Sequence, residues 1–319
     1  MSCYRLVGRT AEPGSPNAER PDGCRASVQT RRKRRNRNAW VGAGALLESF
    51  FKATNNRILN IAARARRAEI DALVRQQSNE TVLSGPFAGM RLLAKTSWHD
   101  GDAAPKLLRC YESELFPFVE RAIRRQPGVV INVGCAEGYY AIGLARRLPG
   151  ARVFAFDLDE AAQTICREAA AANDTGNRVA VGGLCSAATL VELVRSNAAE
   201  RPLIVMDCEG GERDLLTEAV VGELRACDAI VECHDFADRT ITPMLTQRFG
   251  ATHTVETVSE GPRDPAMLPL LRPLSTLDRY LAVCEFRPET MNWVIGWSRA
   301  TRDLDDTATV DDKRLSLPR

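Results

Sequence analysis

Apolar positions along this chain follow two different rhythms. From about residue 44 to 77, Leu47, Phe51, Ile58, Ile61, Ala65, Ala68 and Ala72 recur at intervals of three, four or seven, the spacing of one helical face. That stripe predicts an accessory helix that packs along it. Farther on, short apolar runs alternate with helical stretches as far as about residue 286. The runs predict strands at Val129–Val133, Arg152–Phe156, Arg178–Val181, Leu203–Met206, Ala229–Cys233, Thr252–Val258 and Tyr280–Phe286. Helices are expected at Glu137–Arg147, Glu160–Ala172, Ala187–Asn197, Arg213–Val221 and Arg239–Arg248. Such alternation implies an α/β fold, a seven-stranded, mostly parallel sheet with helices on both faces. Thr81 to Ala94 reads as two short strands around GPFAG (Gly85 to Gly89), a hairpin leading into the sheet. Ser259 to Asp278 carries four prolines and is expected to be an irregular loop near the site.

Composition adds an asymmetry. The 319 residues are 45% hydrophobic and 26% charged, with a formal net charge of +2, which excludes collagen-like and wholly disordered chains. Residues 1 to 80 hold 16 Lys and Arg against 7 Asp and Glu, net +9, and the remaining 239 residues are net −7. The chain is thus a basic arm on a mildly acidic body. Residues 1–40 lack hydrophobic periodicity and are expected to be disordered, 41–110 to form the accessory helix and hairpin, 111–299 the main domain and 300–319 a polar tail. The RRKRRNR run from Arg31 to Arg37 has no stacking aromatics within it, so a nucleic-acid partner is not expected. No stretch reaches the ~18–20 uninterrupted apolar residues of a spanning helix. None of the ten cysteines forms a CxxC pair, and no cleavage motif follows the apolar run from Trp40 to Phe51, so reduced thiols in a cytoplasmic protein are expected.

The chemistry is concentrated at strand ends. In VVINVGCAEGY, Val129 to Tyr139, an apolar strand breaks into a glycine loop that opens a helix. Gly134 and Gly138 allow a sharp turn and a close ligand approach, and the helix N-terminus behind them favours an anionic group. The middle glycine of the dinucleotide fingerprint GxGxxG is replaced by Ala136, which counts against a nicotinamide or flavin cofactor. The next strand ends in Asp157, placed to accept both hydroxyl protons of a ribose, with Asp159 as the helix cap.

These residues resemble the first motifs of class I S-adenosylmethionine-dependent methyltransferases, and the FkbM-like branch in particular. GPFAGM (Gly85 to Met90), YESEL (Tyr111 to Leu115) and MDCEGGE (Met206 to Glu212) match that branch in order, so the resemblance spans about residues 81–290. Asn132, Cys135 and Gly211 depart from its commoner residues. The resemblance implies a Rossmann-like methyltransferase domain over 111–299 with S-adenosyl-L-methionine bound by Glu114, Asn132, Gly134, Cys135, Ala136, Glu137, Gly138, Asp157, Leu184 and Asp207. Glu112 joins Glu114 over the cofactor, and Gly182 to Cys185 lies against the adenine. The resemblance also implies, as an expectation, an acceptor hydroxyl on a sugar or small natural product.

A second constellation follows from the sheet itself. Asp207 and Glu209 end the fourth strand and Glu232 and His234 end the fifth, so all four line one crevice. His234 is expected to remove the acceptor proton, assisted by Asp207, because imidazole titrates near working pH. In the alternative, Asp207, Glu232 and His234 hold a divalent metal that acidifies the acceptor. Glu209 and Glu232 are otherwise substrate-site candidates. Isolated His99 and His253 are expected to be structural, and Trp293 and Trp297 to pack rather than wall the pocket. Two other functional classes remain: a nucleotide-sugar or NAD(P)-dependent oxidoreductase on a similar sheet, and a non-catalytic cofactor- or nucleic-acid-binding module anchored by the basic arm.

Overall fold

The computed structural model describes residues 57–93 and 103–304; the basic arm, Leu47, Phe51, His99 and residues 305–319 lie outside the described residues. The chain divides into two units, 1–60 and 61–319. Of the first, residues 57–60 are described and are helical. The second unit takes in the expected accessory segment from residue 61 together with the sheet.

Helix α1 occupies 61–78 of the second unit. Its buried face is not the one the alanine stripe predicts: Ile61, Ala65, Ala68 and Ala72 are exposed, whereas Arg67, Ile70, Asp71, Val74 and Ser78 are buried. The correction has a polar cause. Arg67 donates to Asp71 (2.8 Å) and to the carbonyls of Leu281 and Cys284, so a buried guanidinium rather than an apolar stripe sets the rotation of the helix. Ile70 and Val74 then pack with Leu107, Leu108 and Val283.

After α2 (Ala103–Leu108) and α3 (Phe116–Arg124) come β1 (Val129–Val133), α4 (Tyr139–Arg147), β2 (Arg152–Phe156), α5 (Glu160–Ala172), β3 (Val179–Gly182), α6 (Ala187–Ser196) and β4 (Leu203–Met206). The short helices α7 (Glu212–Leu215) and α8 (Glu218–Glu223) replace the single predicted helix. Thr217 caps α8 and breaks the run, its side chain accepting from the amide of Val220. Next are β5 (Asp228–Cys233), α9 (Ile241–Gly250), β6 (His253–Ser259), α10 (Thr276–Val283) and β7 (Asn292–Ser298).

The seven strands form one sheet in the order β3-β2-β1-β4-β5-β7-β6. β1 to β5 pair in parallel, and β7 runs antiparallel between β5 and β6. The chain has a Rossmann-like α/β fold, as expected. Helices α3, α4 and α5 cover one face, with Val119, Ile142 and Ala169 against Val130, Val153 and Val205. Helices α6, α8 and α9 cover the other, with Leu190, Val221 and Phe249 against Ile131, Ile204 and Val294.

Two expected elements differ. Tyr280–Phe286 is not a strand: Ser275 caps a helix there by accepting from the amide of Asp278, and α10 takes the first half of that segment. The seventh strand lies later, in NWVIGWS, where both faces are covered and Asn292, Gly296 and Ser298 break the apolar run that would mark it. Trp293 and Trp297 are buried on it, in packing roles. The predicted hairpin at Thr81 to Ala94 is a tight loop with one bridge, Thr81 to Arg91. Gly85 and Gly89 have positive φ, and the loop drives Phe87 into the core, where a Cβ on Gly143 would lie 2.4 Å from its ring. Among the described residues no helix is long and apolar enough to cross a membrane.

Replacing Arg67 by alanine leaves Asp71 buried without its guanidinium and takes a charged donor from the carbonyls of Leu281 and Cys284. The expected loss is about 3–5 kcal/mol of unfolding free energy, measured by urea denaturation.

Candidate functional site

The parallel order reverses direction at β1, so the carboxyl ends of β1 and β4 flank the crevice of an open sheet. Gly134 turns the chain there with φ +76°, and its amide and that of Cys135 both donate to the carbonyl of Phe156 (2.8 and 2.9 Å). A Cβ on Gly134 would sit 1.5 Å from the carbonyl oxygen of Asp207. Glycine is therefore required by the close approach of the β4 end as well as by φ. Ala136 also has positive φ (+46°), and its amide donates to Oδ2 of Asp157 (2.8 Å), while Oδ1 takes the amide of Asp159 (2.9 Å). The acid that ends β2 thus braces the glycine loop. Asp159 separately caps α5 through the amide of Ala161.

The other cofactor candidates divide. Asn132 is buried, its amide donating to the carbonyl of Val205 (3.2 Å), and its Oδ1 has no partner among the described residues. Cys135 is buried against Cys166, and that hydrogen bond together with burial pushes its thiol far above the usual range. Gly138 caps α4 at φ +94°. Glu137 turns away from the loop to a buried ion pair with Lys106, whose ammonium also lies 4.6 Å from the centre of the Tyr111 ring. Leu184, just past β3, is exposed.

At the ends of β4 and β5 the structure brings the second constellation together. His234 is buried, with Nδ1 3.0 Å from Oε1 of Glu212 and Nε2 3.3 Å from Asp207 and 3.7 Å from Glu209. Burial would lower the imidazole pKa, but hydrogen bonds to Asp207 and Glu212 outweigh it and raise the value to about 11. Asp207 is held below the ordinary carboxylate range in return: burial raises it, and the His234 hydrogen bond and charge lower it more. The Asp207 side chain is 36% exposed against 3% for His234, so the carboxylate is the part of this pair that reaches the opening.

Ligand atoms of Asp207, Glu232 and His234 lie within 4.8 Å of one another, the donor set of the metal alternative. Glu232, however, is paired with Arg287, which also donates to Glu112 (2.8 Å) and Glu285 (3.1 Å). Glu112 in turn accepts from the hydroxyl of Tyr140. Burial pushes the carboxyls of Glu232 and Glu112 upward, against the lowering charge of Arg287. Glu114 pairs with Arg263 (2.8 Å), which also reaches Glu285 (2.6 Å). Burial raises Glu285 to about 7 despite both arginines.

Arg263, Glu285, Arg287 and Tyr140 were not singled out from the sequence. Arg263 lies in the proline-rich segment expected near the site, which is a weak signal for it; Glu285 and Arg287 lie in and just after a stretch whose apolar run masked them. Isolated His253 is structural, its ring bonded to Thr252 and to the carbonyl of Cys227.

No family model and no curated protein matches the chain. Among solved structures it is similar to an O-methyltransferase from Bacillus cereus in complex with SAH, at 15% identity over 56% of this chain and 77% of that one, TM-score 0.37. It is also similar to a METTL16 MTase domain, at 14% identity over 74% and 80%, TM-score 0.43. A human methyltransferase 10 domain containing protein gives 14% identity over 74% and 96%, TM-score 0.46. Likenesses this distant add no weight to the site's own geometry.

Two outcomes follow from the site. Gly134→Ala is expected to cost about 3 kcal/mol of stability, because the Asp207 backbone must move to admit the methyl group; chemical denaturation measures it. His234 binds its proton up to pH about 11 when folded and releases it near its ordinary 6.5 when unfolded. Its stabilising contribution is therefore complete below the unfolded value and lost as pH rises toward the folded one. The stability advantage of the native chain over His234→Gln is expected to shrink steadily above neutral pH in parallel denaturation curves.

Proposed function

We propose that this chain is an S-adenosylmethionine-dependent methyltransferase that methylates a hydroxyl of a sugar or small natural product. The observation that carries the reading is the link between Asp157 and the glycine loop. Each Asp157 oxygen holds one backbone amide, which leaves a lone pair on each for the two hydroxyls of a ribose. The loop that turns at Gly134, closed on one side by the Asp207 carbonyl, is the segment the resemblance assigns to the methionine moiety. Gly183, just past the end of β3, leaves a side-chain-free position beside exposed Leu184, which supports an adenine placed there. The sequence resemblance to FkbM-like methyltransferases points the same way.

The sulfonium supplies an electrophilic methyl carbon when bound, and the protein's own task is alignment, exclusion of water and proton transfer. Exposed Phe236 beside His234, ring centroids 5.6 Å apart, and Glu209 border the opening where an acceptor would enter. Both ring nitrogens of His234 face carboxylates, which supports a division of labour different from the sequence expectation. Asp207 would accept the hydrogen bond of the acceptor hydroxyl and take its proton as the methyl passes from sulfur to oxygen, the electron pair of the broken C–S bond staying on sulfur, and the imidazolium of His234 holds Asp207 in place. The metal alternative has less support, because Arg287 already compensates Glu232.

Calorimetric titration with S-adenosylhomocysteine, run beside NADH, tests the reading. Micromolar binding of the first ligand and none of the second is expected, with Asp157→Ala weakening it by about tenfold or more through loss of charge-assisted hydrogen bonds. A folded protein that binds NADH instead would establish the oxidoreductase alternative; one that binds neither sinks the methyltransferase.

A further inference from the structure

We propose that Glu212 is the positioning residue of this site, the group that sets the ring plane of His234 and keeps a proton on its Nδ1 so that Nε2 alone faces Asp207 and Glu209. The purpose of this arrangement rests on the methyl-transfer reading, but its geometry does not. The MDCEGGE segment suggested chemistry at Asp207 and Glu209, and left the last glutamate without a role.

Glu212 is fully buried, at the first position of a helix only four residues long, so its burial serves no long helical face. One carboxylate oxygen, Oε1, accepts from the backbone amide of His234 (2.9 Å) and lies 3.0 Å from Nδ1 of the same residue. Backbone and ring of His234 are thus held by one atom, which restricts rotation about the side chain and keeps the Nδ1–H of the imidazolium pointing inward. The other oxygen, Oε2, accepts from the amide of Gly210 (2.9 Å) and from the Cys208 thiol (3.5 Å). The turn that makes this possible puts Glu209 and Gly210 in the left-handed region, φ +54° and +96°. It carries the chain from Asp207 at the opening back beneath it within five residues.

Every lone-pair direction of the Glu212 carboxylate that bears on the site therefore points at the turn or at His234, and none at the opening. Asp207 contacts the same ring from the open side. A buried carboxylate on one nitrogen of an imidazole and a partly exposed carboxylate on the other is an arrangement that orients the ring from within and uses it outward. Glu212 never touches substrate; it acts through His234.

With three histidines in the chain, ring signals can be separated by long-range proton–nitrogen NMR, and His234→Asn identifies those of His234. The expected spectrum of the full-length protein shows a slowly exchanging Nδ1 proton on His234. In Glu212→Gln the amide cannot accept from His234 and from Gly210 at once, and exchange of that proton is expected to rise by about tenfold or more, with the ring signals of His253 unchanged. In Asp207→Asn the Nδ1 proton is expected to persist, since Glu212 alone holds it. A wild-type His234 without that proton, an unaltered signal in Glu212→Gln, or its loss in Asp207→Asn each overturns the proposal, and the first and third decide it even if Glu212→Gln does not fold. A purely structural glutamate would lower stability without altering ring exchange. The S-adenosylhomocysteine affinity of Glu212→Gln is expected to stay within about twofold of wild type. Absence of binding by the wild type would count against the methyltransferase and leave the NMR result standing.

Discussion

Carboxylates withdrawn from water at the carboxyl end of the sheet set the terms for the rest of this molecule. Glu112, Glu212, Glu232 and Glu285 are almost wholly enclosed, and Glu114 and Asp207 are partly so. Buried charges of one sign are sustainable only when paired or protonated. The chain meets the demand with Arg263, Arg287 and His234, each contacting at least two acids. Because Arg263 and Arg287 lie beyond β6, their pairing draws the segment between β6 and β7 across to Glu112 and Glu114, which precede β1 in the chain. The closure of the site and the neutralisation of its acids are one structural event.

Three regions of the site then differ in kind. At the ends of β1 and β2 the contacts are made by backbone, with Asp157 holding the loop and Gly134 yielding space to Asp207. This part is rigid and sensitive to a single methyl group. At the ends of β4 and β5 the contacts are ionic, with His234 between an inner and an outer carboxylate. The arginine network joins Glu232 on β5 to Glu112, Glu114 and Glu285 and sets the local electrostatics.

Local pattern carried most of the sheet. Val129–Val133, Arg152–Phe156 and Leu203–Met206 are apolar runs bounded by turn residues, and they occur as expected. β7 carries no such signal because Asn292, Gly296 and Ser298 interrupt its apolar run, and α10 reads as a strand because its apolar run is short and its cap lies outside the run. α1 shows the same limit in another form. Its exposed alanines repeat at helical spacing, but a buried Arg67 with partners more than two hundred residues away decides which side turns inward.

The sequence by itself determined the α/β order, the glycine turn at Gly134, the acid after β2 and the presence of Asp207, Glu209, Glu212, Glu232 and His234 beside strand ends, since these depend on residue type and on neighbours a few positions away. Tertiary structure alone decided that β7 enters between β5 and β6, that Glu137 leaves the loop for Lys106, and that Arg263 and Arg287 join acids from distant strands. It also decided that Glu212 lies beneath His234 while Asp207 faces outward. The physical reason is range: hydrophobic period and turn chemistry act within a few residues, whereas the charge state of a buried group is set by whatever the fold places within a few ångströms of it, however far away in the chain.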